Sequence, residues 1–167
     1  MGTPDPNAVY SLGSSPGESE RLLRQAQDLA GDSAALLGRP GLRPGHHAID
    51  LGCGPRGILE LLAARVAPGG RVTGVDANQV HVAMATAFAA SRGLAGVEVI
   101  EAGARQTGLP SGSFDLIHAR TLLVTIPQAA DVVTRWPGWP DPAAGSWPWS
   151  PTSRPRCATR RWPPLTG

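Results

Sequence analysis

Asp50, Gly52, Gly54 and Asp76 are the residues of this chain whose types and spacing could do chemistry. The run Gly52-Cys53-Gly54-Pro55-Arg56-Gly57 has the G-x-G-x-x-G spacing of a nucleotide-binding turn. Alone, that spacing is a weak signal. Asp50 stands two residues before the first glycine. A dinucleotide lays its pyrophosphate over such a turn and the next helix N-terminus. A carboxylate there repels it. S-adenosylmethionine carries no phosphate, only an ammonium and a sulfonium beside its carboxylate. Asp50 therefore favours that cofactor over NAD. Asp76 follows Gly52 by 24 residues. A carboxylate there can accept both ribose hydroxyls, which supports a nucleoside without choosing the cofactor.

Such residues need strands and helices to hold them. Ser15-Pro16-Gly17-Glu18 reads as a helix start with a capping box, and apolar spacing carries that helix to about Leu37. His47 to Leu51 reads as a buried strand, followed by the glycine turn. Ile58 to Val66 is an amphipathic helix and Arg71 to Val75 a second strand. Asn78 to Arg92 is an Ala-rich helix with Val82, Ala85 and Ala89 inward. Val97 to Ile100 and Phe114 to His118 complete four strands, and Leu122 to Ile126 is an apolar stretch. Strands alternating with helices predict an α/β fold: a Rossmann-like, mostly parallel sheet with helices on both faces and an N-terminal helix. Ligands bind such sheets at strand carboxyl ends. Here those ends are Asp50–Gly54, Asp76–Asn78, Glu101–Ala104 and His118–Arg120.

With these motifs in order, the chain resembles class I S-adenosylmethionine-dependent methyltransferases, in particular bacterial enzymes acting on small molecules. Ala48-Ile49-Asp50-Leu51-Gly52-Cys53-Gly54 is similar to their first motif. Val72-Thr73-Gly74-Val75-Asp76-Ala77 is similar to their second, and Ser113 to Arg120 to their fourth strand. Tyr10-Ser11-Leu12-Gly13 with Glu18, Arg21 and Gln25-Ala26 resembles a bacterial subgroup whose first helix packs over the cofactor. The resemblance implies a cofactor site of Asp50, Gly52, Cys53, Gly54, Asp76, Ala77, Gly103, Ala104, His118 and Arg120. Asp50 and the glycines would meet the methionine part, the glycines because only hydrogen fits so close to the ligand. Asp76 would hold the ribose and Ala77 would pack on adenine. Gly103 and Ala104 would line the adenine edge, and His118 to Arg120 would lie near the sulfonium. At Gly103 many relatives carry an acid for the adenine amino group, so stacking and backbone contact must serve here.

Other chemistries find less support. No base is placed to make Cys53 a nucleophile, and no His or Cys pair has metal-ligand spacing. His81 is expected on a solvated helix face. Two cysteines form no disulfide framework, which fits a reducing cytoplasm. A net charge of +2 argues for neither nucleic acid nor an acidic membrane.

Composition divides the chain into an arm at 1–14, a cofactor-binding domain at 15–135 and an irregular tail at 136–167. All five tryptophans lie in that tail, and nine of the seventeen prolines lie from Pro127 onward. Trp is encoded only by TGG and Pro by CCN. Read one base earlier, each Trp-Pro becomes Leu, Met or Val followed by Ala. Residues 136–149 then permit a helix end, a Pro-Gly-Gly turn and a strand. A reading-frame slip near Val133–Trp136 is the expectation, leaving about four of seven strands. The neighbouring frame of the coding DNA should then resume the domain; early stop codons in that frame would sink the idea. An apolar sheet edge left open this way favours self-association. The expected activity is methyl transfer to a small-molecule acceptor, with no catalytic residue assigned. The alternatives are a remnant that binds the cofactor weakly or not at all and, with less support, an NAD-dependent oxidoreductase.

Overall fold

A computed structural model of the chain describes residues 16–38, 41–110, 112–126 and 129. The arm at 1–14, the capping residue Ser15 and the tail at 136–167 lie outside the described residues. The strands are β1 (His47–Leu51), β2 (Arg71–Asp76), β3 (Val97–Glu101) and β4 (Leu116–Ala119). The helices are α1 (Pro16–Asp28), α2 (Ala30–Leu36), α3 (Leu59–Val66), α4 (Gln79–Ser91) and α5 (Leu122–Thr125).

The strands form one parallel sheet in the order β3-β2-β1-β4. From β1 the chain steps outward through α3 to β2 and through α4 to β3. It then returns to the other side of β1 as β4. The order thus reverses between β1 and β4, where a crevice opens above the strand ends. β1 is buried along Ala48 to Leu51, as a central parallel strand must be.

One face of the sheet carries α3 and α4. Leu59, Leu62, Ala63 and Val66 of α3 recur at helical spacing and pack with Ala48, Val72 and Ala85. The opposite face gathers Ile49, Leu51, Val75, Phe114 and Leu122. The segment from Ala102 to Leu109, along with α5, covers that side. Among the described residues, β4 has a strand partner on one edge only, and no helix is long and apolar enough to cross a membrane.

Three expectations need correction. The N-terminal helix is interrupted at Leu29, although Leu29 N still donates to Gln25 O and Ser33 N to Leu29 O. Gly31, a weak helix former, lies just beyond the break. Strand β4 begins at Leu116 rather than Phe114. Asp115 binds His47 twice, through its own N–H and through Oδ2, and so closes the ladder at that end. His81 is fully buried, not solvated. It stands one turn before Ala85 on the inward stripe of α4. Glu18 accepts from the Arg21 guanidinium, and its expected capping partner Ser15 lies outside the described residues.

Candidate functional site

The ends of β1, β2 and β4 and the loop after β3 surround one cleft, and α1 lies across it with Arg21, Leu22, Gln25 and Ala26. All ten residues expected to form the site line this cleft: Asp50, Gly52, Cys53 and Gly54; Asp76 and Ala77; Gly103 and Ala104; His118 and Arg120. Glu101 points away and is exposed.

The glycine turn is tied to the sheet. Gly52 N and Cys53 N both donate to Val75 O, at 2.8 and 3.0 Å. Asp50 is 2% exposed. Its Oδ2 accepts from Ile58 N at 3.0 Å, and its Oδ1 lies 2.7 Å from His118 Nδ1. With Asp50 ionised, that contact requires the hydrogen on Nδ1. In the neutral imidazole this leaves Nε2 as an acceptor. His118 owes its place to register, since Asp50 and His118 are paired across β1 and β4. The acid beside the glycine turn therefore also closes that turn and fixes a histidine at the cleft.

Asp76 is equally committed. Its Oδ2 accepts from Gly54 N at 2.8 Å and its Oδ1 from Asn78 N at 2.9 Å. His81 Nδ1 lies 3.5 Å from Oδ1. A carboxylate has about four lone-pair sites, so two remain for ribose hydroxyls. Asn78 caps α4: its side chain accepts from Val80 N.

Two of the motif glycines also have a cause within the fold. A Cβ on Gly52 would meet Leu122 Cδ1 at 2.9 Å, and φ there is +67°. A Cβ on Gly57 would meet Asp50 Oδ2 at 2.3 Å, at φ +54°. The space is taken by α5 and by the Asp50 carboxylate. Gly57, Leu122 and the α1 residues are cleft residues absent from the expected set. Gly57 had a signal as the last glycine of the motif, and Arg21, Gln25 and Ala26 had one in the resemblance of the first helix; Leu122 comes from tertiary packing.

Burial pushes the Cys53 thiol well above its ordinary pKa, and the carboxylates of Asp50 and Asp76 push it further. A thiol held protonated is a poor nucleophile. In a Cys157→Ser background, the folded chain should resist thiol reagents at pH 8 and react only on unfolding. Prompt labelling of the native form would contradict this.

Thr121 is the one described non-glycine residue with positive φ, +61°. It follows Arg120 in the cleft wall, and its Oγ1 donates to Arg120 O at 2.6 Å. A left-handed L residue costs about 1–2 kcal/mol, while glycine costs about 0.5–1 kcal/mol in chain entropy. Thr121→Gly should therefore stabilise the fold by about 0.5–1 kcal/mol in urea unfolding. A loss of stability would show that the Oγ1 bond outweighs the strain.

Residues 48–136 match the model of the methyltransferase domain family. The chain is 37% identical over 94 residues to nocamycin O-methyltransferase of Saccharothrix syringae, covering 56% of this chain and 34% of that protein. It is 33% identical over 126 residues to trans-aconitate 2-methyltransferase of Streptomyces avermitilis, covering 74% and 45%. The chain thus spans less than half the length of these relatives. Among solved structures it is similar to a SAM dependent methyltransferase from Aquifex aeolicus. The TM-score is 0.52 at 22% identity, over 80% of this chain and 67% of that one, a likeness of fold.

Proposed function

The chain belongs to the methyltransferase domain family, and on that premise we propose that its cleft binds S-adenosylmethionine and serves methyl transfer to a small-molecule acceptor. The observation that carries this reading is the convergence of Asp50, the glycine turn and Asp76 in one cleft. The cleft also passes a test of fit. Its floor presents two carboxylates to a ligand whose charged groups are mostly cationic, and the same floor opposes a pyrophosphate. Names giving nocamycin and trans-aconitate as acceptors in two relatives support a small molecule here.

Bound there, the cofactor supplies an electrophilic methyl group. Asp76 takes the ribose hydroxyls and Ala77 packs on the adenine, whose edge Gly103 and Ala104 line. Asp50, Gly52, Cys53 and Gly54 bound the methionine part. His118 and Arg120 stand at the sulfonium end. The protein's contribution is positioning and exclusion of water, so no catalytic residue is assigned. Among the described residues no cluster of His, Cys, Asp and Glu is placed to hold a metal ion. The low net charge and free buried Cys53 support a cytoplasmic protein that uses neither nucleic acid nor membrane.

Calorimetric titration with S-adenosylhomocysteine and with NAD tests the reading. Binding of the first alone supports it. Binding of NAD would favour an oxidoreductase, and silence with both would favour a remnant of the family without a working site. The remnant is the second reading because β4 has one open edge among the described residues. The same edge is the proposed surface for self-association. Sedimentation should show a dimer or larger species at micromolar concentration. A monomer throughout would exclude it.

A further inference from the structure

Arg120 stands at the mouth of the cleft, just after β4. Its Nη1 donates to Ser33 Oγ of α2 at 3.0 Å. Ser33 is itself buried. The hydroxyl fixes the guanidinium but brings no charge. Among the described residues no carboxylate pairs with Arg120. Both acids of the cleft floor are engaged elsewhere, Asp50 by Ile58 N and His118, and Asp76 by Gly54 N and Asn78 N. A partly buried cation is normally matched by an anion. Here most of the planar donor fork remains for a ligand, and that fork suits a carboxylate.

The ligand that supplies the anion follows from place and charge. A guanidinium repels a sulfonium and an ammonium. Arg120 is therefore badly suited to the cationic groups of the cofactor. The tie to Ser33 holds it toward the wall made by the N-terminal helices, away from Asp76 and the nucleoside end. Beside it, Leu122, Thr125 and Ile126 give the same wall an apolar stretch with one hydroxyl. An anionic group next to an apolar surface describes an organic acid. Resting on the methyl-transfer reading above, we propose that the methyl acceptor is a small organic anion and that Arg120 grips its carboxylate as a handle, distinct from the atom that is methylated. Arg120 is then a specificity residue, positioned by Ser33.

The cofactor also owns one anion, its α-carboxylate, so the experiment must separate the two. The full chain, saturated with S-adenosylhomocysteine, is titrated with benzoate, succinate and tricarballylate, and with their neutral methyl esters. At least one carboxylate should bind and its ester should not. Arg120→Gln should weaken that carboxylate by about tenfold or more, Arg120→Lys by less, because the point charge survives and the fork does not. Ser33→Ala should weaken it a few-fold with the charge intact. Circular dichroism checks that each variant is folded, and the lysine and Ser33 variants keep the test alive if the glutamine variant is not. The proposal is overturned if none of the three carboxylates binds the loaded protein, or if Arg120→Gln leaves their affinity unchanged. It is also overturned if Arg120→Gln weakens S-adenosylhomocysteine about tenfold but spares 5′-methylthioadenosine, which lacks the amino acid. That pattern would assign Arg120 to the cofactor's own carboxylate. Failure of the wild-type chain to bind S-adenosylhomocysteine strikes the proposed function instead, and is seen before any acid is added.

Discussion

Asp50→Ala should abolish measurable S-adenosylhomocysteine binding and destabilise the chain, while Asp50→Asn should separate these two losses. The alanine variant removes the acceptor of two buried donors, Ile58 N and His118 Nδ1. Each orphaned group costs about 1–3 kcal/mol, so a total of about 2–6 kcal/mol is expected in urea unfolding. The asparagine variant is subtler. Its amide oxygen can still accept from Ile58 N, and its NH2 can donate to His118 Nδ1 if the imidazole shifts its hydrogen to Nε2. Both contacts then survive and stability stays close to wild type. Two changes reach the ligand, however. The negative charge is gone, and Nε2 has turned from acceptor to donor. Both disfavour a cationic ligand, and affinity should fall by at least about tenfold, or about 1.4 kcal/mol. Wild-type affinity in Asp50→Asn would mean that Asp50 serves only to close the turn.

Gly57→Ala should be far more damaging than Gly54→Ala. Both positions have positive φ, +54° and +62°, so both variants incur the left-handed penalty of about 1–2 kcal/mol. At Gly54 the new methyl group meets only Leu22 Cδ1, at 4.0 Å, an ordinary contact. At Gly57 it falls 2.3 Å from Asp50 Oδ2 and 2.9 Å from Cys53 O. The carboxylate must leave Ile58 N or the turn must open. Gly57→Ala should therefore lose about 3 kcal/mol or more, within the range of broken buried networks, and lose ligand binding with it. Equal effects of the two substitutions, by thermal unfolding and calorimetry, would contradict this geometry.

Much of this was legible in the residues. Period and punctuation located β1, α3, β2, α4 and β3 to within a residue or so, because each run is bounded by Gly, Pro or Asn. The parallel order followed from the alternation of strand and helix. What escaped depended on distant partners. The start of β4 is set by Asp115 binding His47, 68 residues away, and nothing local to Phe114 announces it. His81 is polar by type but sits on the inward stripe of α4, so residue type misled where position would not have. The motif suggested clearance for a ligand at Gly52 and Gly54, and it did not reveal that Leu122 and Asp50 press on the turn at Gly52 and Gly57. The ten cleft residues converged because a motif encodes strand ends, and strand ends are what the sheet brings together. Their roles toward a ligand rest on the titrations described above.

The contact between Asp50 and His118 joins residues 68 positions apart, across the edge strand β4. During synthesis, β1, β2 and β3 can pair while β4 is still to be made. The glycine turn would then exist before its histidine arrives. Completion of the cleft thus waits for β4, which among the described residues is held along one side only. Fraying of β4 would separate His118 from Asp50 and carry Arg120 away from Ser33 in the same motion. Ligand retention and the persistence of β4 are thereby one equilibrium, and a bound ligand would act as the clasp that keeps the sheet closed.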